Sequence, residues 1–106
     1  MADFMGMMGK MQELQGRMQK MQAELEAAEV TGMAGGGLVS VILSAKGALK
    51  KISIDASLLK PTEKEIVEDL ISAAHADARA KAERAMEEKM RELTGGLPLP
   101  PGLKLF

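Results

Sequence analysis

The spacing of apolar positions along this chain changes period twice. From Phe4 to Ala28, the residues Phe4, Met7, Met11, Leu14, Met18, Met21, Leu25 and Ala28 recur at alternating steps of 3 and 4. A heptad of this kind keeps one narrow apolar seam on one side of a helix. It predicts a helix over residues 1–29, with Asp3 as its candidate N-cap. Gly6, Gly9 and Gly16 lie inside it, each costing about 1 kcal/mol relative to Ala, so its first turns should fray unless packed. The period then drops to two. Glu29 to Met33 reads as a short strand and Gly35-Gly36-Gly37 as a turn. Leu38 to Ala45 alternates, with Val39, Val41, Leu43 and Ala45 on one face and Ser40 and Ser44 on the other. After a Lys46-Gly47 turn, Ala48 to Asp55 returns with Ile52 and Ile54 inward and Lys51 and Ser53 outward. This is a three-stranded antiparallel meander over residues 29–55, and its apolar face needs a cover.

From residue 62 the period is helical again, through Val67, Leu70, Ile71, Ala74, Ala78, Ala82, Ala85, Met86, Met90 and Leu93. Thr62 and Glu65 match a capping box, with Pro61 and Ile66 as a hydrophobic staple. Gly95-Gly96 ends the helix, which spans residues 62–94. Its wide apolar first half should cover the sheet and its narrow, Ala-rich second half should meet one neighbour. The two seams, each roughly 40 Å long, are expected to pair antiparallel as an arm with the sheet at its base. Residues 95–106 contain Leu97, Pro98, Leu99, Pro100, Pro101, Leu103, Leu105 and Phe106. They read as an extended apolar tail that docks somewhere. The fold class is α+β, one domain over residues 1–106.

Composition narrows the chemistry. The chain has no cysteine, which excludes disulfides, thiol catalysis and cysteine metal sites. Asp3 and Lys10 interrupt the Met-rich start, so it does not read as a signal peptide. No apolar run reaches the roughly 18 residues of a membrane span, and the default compartment is the cytoplasm. Net charge is −1, which by itself gives no nucleic-acid footprint. Residues 30–61 carry Lys46, Lys50, Lys51 and Lys60 against Asp55, whereas both helical regions are net acidic.

Each candidate for chemistry has a plainer reading. His75, the single histidine, has Ile71 and Arg79 at the i±4 positions and reads as a surface residue. The acids of the second helix interleave with Lys81, Arg84, Lys89 and Arg91, as on a solvated face with ion pairs. The triple glycine leads into a strand, not into the helix N-terminus that a phosphate cradle requires. The methionine stripe reads as helix-packing core, ahead of a deformable partner surface or a membrane-surface helix. No nucleophile–base pair, metal cluster or cofactor motif remains. The residues describe a non-enzymatic binding or scaffolding protein, a small dimeric α+β domain with helical arms.

Four stretches carry a family resemblance. They are Leu25 to Val41 (LEAAEVTGMAGGGLVSV), Ile52 to Leu59 (ISIDASLL), Glu68 to Ala78 (EDLISAAHADA) and Leu99 to Lys104 (LPPGLK). With the Met/Gln-rich first helix, the chain resembles the YbaB/EbfC family of bacterial nucleoid-associated proteins over nearly its whole length. Ala56, the His75-Ala76 pair and the Lys46-Gly47 turn depart from the family pattern. The resemblance implies a tweezer-like homodimer with a sheet core and protruding helices. It also implies binding of duplex DNA with weak sequence preference, in nucleoid organisation or gene regulation, in the cytoplasm and nucleoid, with no cofactor, membrane or small-molecule substrate. On position, the candidate phosphate contacts are Lys10, Arg17 and Lys20 on the first helix and Arg84, Lys89 and Arg91 on the second. Lys10, Lys89 and Arg91 are expected together at the arm tip. The alternative is a protein-interaction module whose acidic arms clasp a protein partner.

Overall fold

The structure is a computed structural model that describes residues 2–93, with side chains from Phe4 onward. The reading of residues 95–106 as an extended tail lies outside the described residues. Helix α1 runs Ala2–Ala27, followed by strands β1 (Glu29–Ala34), β2 (Val39–Ser44) and β3 (Leu49–Ile54), then two 3-10 turns (Ala56–Leu58 and Pro61–Glu63) and helix α2 (Lys64–Leu93). The strands form one antiparallel sheet in the order β1-β2-β3. Val41 stands opposite both Gly32 and Ile52, and Val39 opposite both Ala34 and Ile54. The alternation read from the sequence therefore sets the register, because a one-residue slip would turn Val39, Val41 and Leu43 to the wrong face.

Helix α2 covers that face. Val39, Val41, Leu43, Leu58, Ala74 and Ala78 form the main buried cluster, bordered by Val30, Ala34, Ile54, Val67, Leu70 and Ile71. Gly32 sets how closely α2 approaches. A Cβ there would overlap the carbonyl oxygen of Ala74 and the backbone nitrogen of Ala78, and would lie 2.8 Å from the Ala78 Cα. Only glycine on the strand, facing alanines on the helix, permits this contact. Because α2 lies over β1 and β2, β3 is left at the rim: Ile52 points inward by register yet is 41% exposed, and Leu49 is 57% exposed.

The turns differ in detail from expectation. Gly35, Gly36 and Gly37 all have positive φ, a run that side-chain-bearing residues strongly disfavour. The second hairpin turns around Ala45-Lys46, with the Gly47 N–H donating to the Ser44 carbonyl at 2.8 Å. Ser44, expected on the polar face, is instead buried, and its hydroxyl accepts from the Ala48 N–H at 3.1 Å. At the start of α2 the Thr62–Glu65 capping box does not form, because Pro61 opens a 3-10 turn that delays the α-helix to Lys64. Proline favours such a first position because it lacks the N–H that would go unpaired. The capping contact that is made lies earlier, where Asp55 Oδ1 accepts from the Ser57 N–H at 2.9 Å.

The arm is shorter than expected. Met21, Leu25 and Ala45 form a second buried cluster against Ala85, Met86, Met90 and Leu93. Toward the N-terminus, Phe4, Met7, Met11 and Leu14 are exposed, although they continue the same heptad. The reason is the division of α2. Its residues through Ala78 pack against the sheet, so only the turns that follow meet α1, near its C-terminal end.

Candidate nucleic-acid interface

The six cations singled out by position do not form one group. Arg17, Lys20 and Lys89 line a common depression together with Met21, Glu24, Glu92 and Leu93. Within it Lys89 donates to Glu24 Oε2 at 2.9 Å and lies 3.6 Å from Glu92. This bond first, and then the charge of Lys89, hold the Glu24 carboxyl below its ordinary range, and Lys89 is raised in return. The pair bridges α1 and α2 beside the Met21–Leu25 packing, so Lys89 also helps to hold the arm together. Arg17 pairs with Glu13 at 2.9 Å along one face of α1. Lys20 lies near Glu24 and adds to its acidity.

The expected tip cluster of Lys10, Lys89 and Arg91 is not what the geometry gives. Lys10 is 14 residues from Glu24, the partner of Lys89, or about 21 Å along the helix axis. Leu93, the last described residue of α2, packs near Met21 and Leu25, well short of Lys10. Lys10 is exposed on the bare part of α1 and makes no ion pair among the described residues. Arg84 donates through Nε to the Ala80 carbonyl at 3.4 Å, and Arg91 is exposed in the last turn of α2.

Two further features escaped the sequence reading. On the sheet side, Lys50 and Lys51 on β3, Lys60 just before α2 and Lys64 at its first position are exposed and form no salt bridge among the described residues. The excess of lysine over acid in residues 30–61 was the available signal. The other feature is Asp77 with Lys81. Asp77 Oδ2 accepts the Met33 N–H at 3.1 Å, and Lys81 Nζ donates to the Thr31 carbonyl at 2.7 Å. The two side chains also pair with each other at 3.3 Å. Thr31 and Met33 are the residues whose backbone groups face away from β2, so α2 closes the outer edge of β1. Four helix residues rise about 6 Å and two strand residues about 6.8 Å, so side chains four apart on α2 match groups two apart on β1. The Met33 N–H first, and then Lys81, lower the Asp77 pKa. Only the i,i+4 spacing of the two charges was visible beforehand, and it does not name a strand as the target.

Among the described residues no three His, Cys, Asp or Glu side chains converge as metal ligands would, and no helix is long and apolar enough to cross a membrane. His75 is exposed beside Arg79 and Glu83 in a depression next to the second hairpin turn.

Comparison with known proteins places this architecture. The model of the YbaB/EbfC DNA-binding family matches residues 1–97. A nucleoid-associated protein of Rhodopseudomonas palustris is 60% identical over 105 residues, covering 99% of each chain. One from Agrobacterium fabrum is 58% identical over 105 residues, covering 99% of this chain and 98% of the relative. The crystal structure of an uncharacterized protein from Helicobacter pylori superposes with a TM-score of 0.65 at 26% identity, covering 84% of this chain and 89% of the other. The chain belongs to the YbaB/EbfC DNA-binding family.

Proposed function

We propose that this protein is a non-enzymatic DNA-binding protein of the bacterial nucleoid, acting in the cytoplasm as a homodimer with little sequence preference. Membership of the family across residues 1–97 carries the reading, supported by relatives named as nucleoid-associated proteins. With a net charge of −1, attraction to DNA depends on where the cations sit, not on how many there are. Contacts to phosphates are sequence-independent, which fits a site made of scattered lysines and arginines. Lys10, Arg17, Lys20, Arg84, Lys89 and Arg91 remain the proposed contacts, and Lys10 is the one least engaged with carboxylates. A gel shift on arbitrary duplexes, titrated with salt, tests the proposal. Binding should weaken steeply as salt rises, because each neutralised phosphate releases counterions. Absence of a shift at low salt on every duplex would overturn it.

Dimerisation through the sheet belongs to the same proposal. The outer edge of β1 is closed by Asp77 and Lys81. Along β3 no hydrogen bond among the described residues occupies the outer edge, and Leu49 and Ile52 leave apolar surface beside it. An open edge of this kind templates strand addition, so β3 is the proposed meeting line of the two copies. Light scattering should give twice the 11.3 kDa chain mass, and a monomer at micromolar concentration would refute it. A second reading, a module that clasps a protein partner, is favoured by one observation, the exposed methionine face of α1. Recovery of a stoichiometric protein partner after nuclease treatment would support that reading over DNA binding.

A further inference from the structure

Phe4, Met5, Met7, Met8, Met11 and Leu14 form a continuous apolar stretch of α1 with no covering element among the described residues; Met11 is 66% exposed. A shallow groove runs along it between Met8, Met11, Leu14 and Met18. An apolar strip of this length on a small protein marks a contact. We propose that its occupant is the chain's own C-terminal segment, residues 97–106, lying in cis along α1 toward the N-terminus.

Position, direction, length and composition support this occupant together. Helix α2 is antiparallel to α1 and ends at Leu93, which packs with Met21 and Leu25 at the inner end of the bare strip. The last described turn of α2 therefore points along the bare part of α1. From Met21 to Phe4 is 17 residues, or about 26 Å of helix. The 13 residues after Leu93 reach about 40 Å in a polyproline-like conformation, enough to span the strip with Gly95-Gly96 as a bend. Leu97 and Leu99 then stand about 6 Å apart, while steps of 3 and 4 residues along the α1 seam advance about 4.5 and 6 Å. Leu97 falls near Leu14, and Leu99 near Met11 and Met8. Prolines at 98, 100 and 101 lower the entropy lost on ordering the segment, and unbranched methionines adapt to an irregular partner.

The test uses the absence of cysteine in the native chain. In the full-length protein, Met11→Cys with Leu99→Cys places one thiol on the strip and one on the segment, and Lys60→Cys with Leu99→Cys serves as the control pair. Mild oxidation should join the first pair within one chain at least about tenfold faster than the control, as expected for thiols held at high effective concentration. Joining at the control rate would overturn the proposal. So would joining found only between two chains, which would assign the strip to a second copy's segment. Hydrogen exchange gives an independent reading. Leu97→Asp with Leu99→Asp should speed exchange across residues 7–18 and leave residues 21–25 protected. Unchanged exchange across residues 7–18 would overturn it, whatever the DNA-binding result.

Discussion

The Asp77 carboxylate accepts the Met33 backbone N–H at 3.1 Å, so a helix side chain occupies the place where a further strand would bond. With Lys81 on the Thr31 carbonyl, this leaves the sheet one open edge instead of two. A sheet with two open edges can extend without limit, and edge strands left bare invite aggregation. Replacing both residues, Asp77→Ala with Lys81→Ala, should convert an assembly of fixed size into assemblies that grow with concentration. Light scattering across a hundredfold dilution series would show it; a constant mass would mean that β1 is protected some other way.

Acid should act through the same carboxylate. The folded-state pKa of Asp77 is lowered, so its contribution is present in full above the unfolded value near 3.8 and is lost as pH falls through the folded value. Glu24 behaves likewise from its ordinary 4.5. Lys89 is raised, so its part is lost only when pH rises through its folded value in the alkaline range. The melting temperature of the native protein should exceed that of Asp77→Asn at pH 7, and the gap should shrink as the pH is taken below about 4. A gap that stays constant down to pH 2 would assign the stabilisation to something other than the ionised carboxylate.

Gly32 and Gly16 should respond to alanine in opposite directions. At Gly32 the added methyl meets the α2 backbone, and overpacking of this kind costs about 1–3 kcal/mol or more. The melting temperature should fall by at least about 4 °C in a domain of this size. At Gly16 nothing lies within 4 Å of the added methyl, and the better helix propensity of alanine should stabilise by up to about 1 kcal/mol. Calorimetry on the two variants checks both signs at once.

How much of this was legible beforehand depends on the kind of information each feature needs. The strands, their register and both helices follow from periodicity, because Val39, Val41 and Leu43 can be buried together only one way. The length of the arm was not legible. The heptad of α1 continues through Phe4, Met7 and Met11 whether or not a partner is there, and periodicity names an apolar seam without saying what covers it. The closure of β1 was hidden for a similar reason. Asp77 and Lys81 look like any helical ion pair until the strand that they face is known. Gly32 looked like a residue within an ordinary strand, since its role lies entirely in the proximity of Ala74 and Ala78.

Charge reversal should separate contacts from struts. Lys89 is engaged with Glu24 and Glu92, so Lys89→Glu should loosen the arm and lower the melting temperature. Lys10 has no such partner among the described residues, so Lys10→Glu should leave the melting temperature unchanged and reduce DNA affinity and its salt dependence. If the salt slope of Lys10→Glu matches that of the native protein, Lys10 does not contact phosphate.

The Leu25 cluster sets the strength of the arm. Leu25 is almost fully buried between the helices, and truncating such a side chain to alanine costs about 2–5 kcal/mol. Leu25→Ala should therefore lower the midpoint of denaturant unfolding clearly, while leaving the sheet able to form. An unchanged midpoint would mean that α1 contributes nothing to the cooperative unit.

Helix α2 is a single unbroken rod from Lys64 to Leu93, with one end laid across the strands and the other gripping α1. Rotation at one end is therefore rotation at the other. Inserting a single residue between Ala82 and Ala85 would swing Met86, Met90 and Leu93 through about 100° and turn them away from Met21 and Leu25. At the other root of the arm, α1 joins β1 through Ala28 alone, whose carbonyl accepts the Ala45 N–H at 3.0 Å. The direction in which each arm points is thus set by the phase of the helix on the sheet, with no separate joint to adjust it. In a two-copy assembly the gap between the arms would be a manufactured dimension, like the jaw width of a fixed spanner, changed by altering the sheet contact and not by bending the arm.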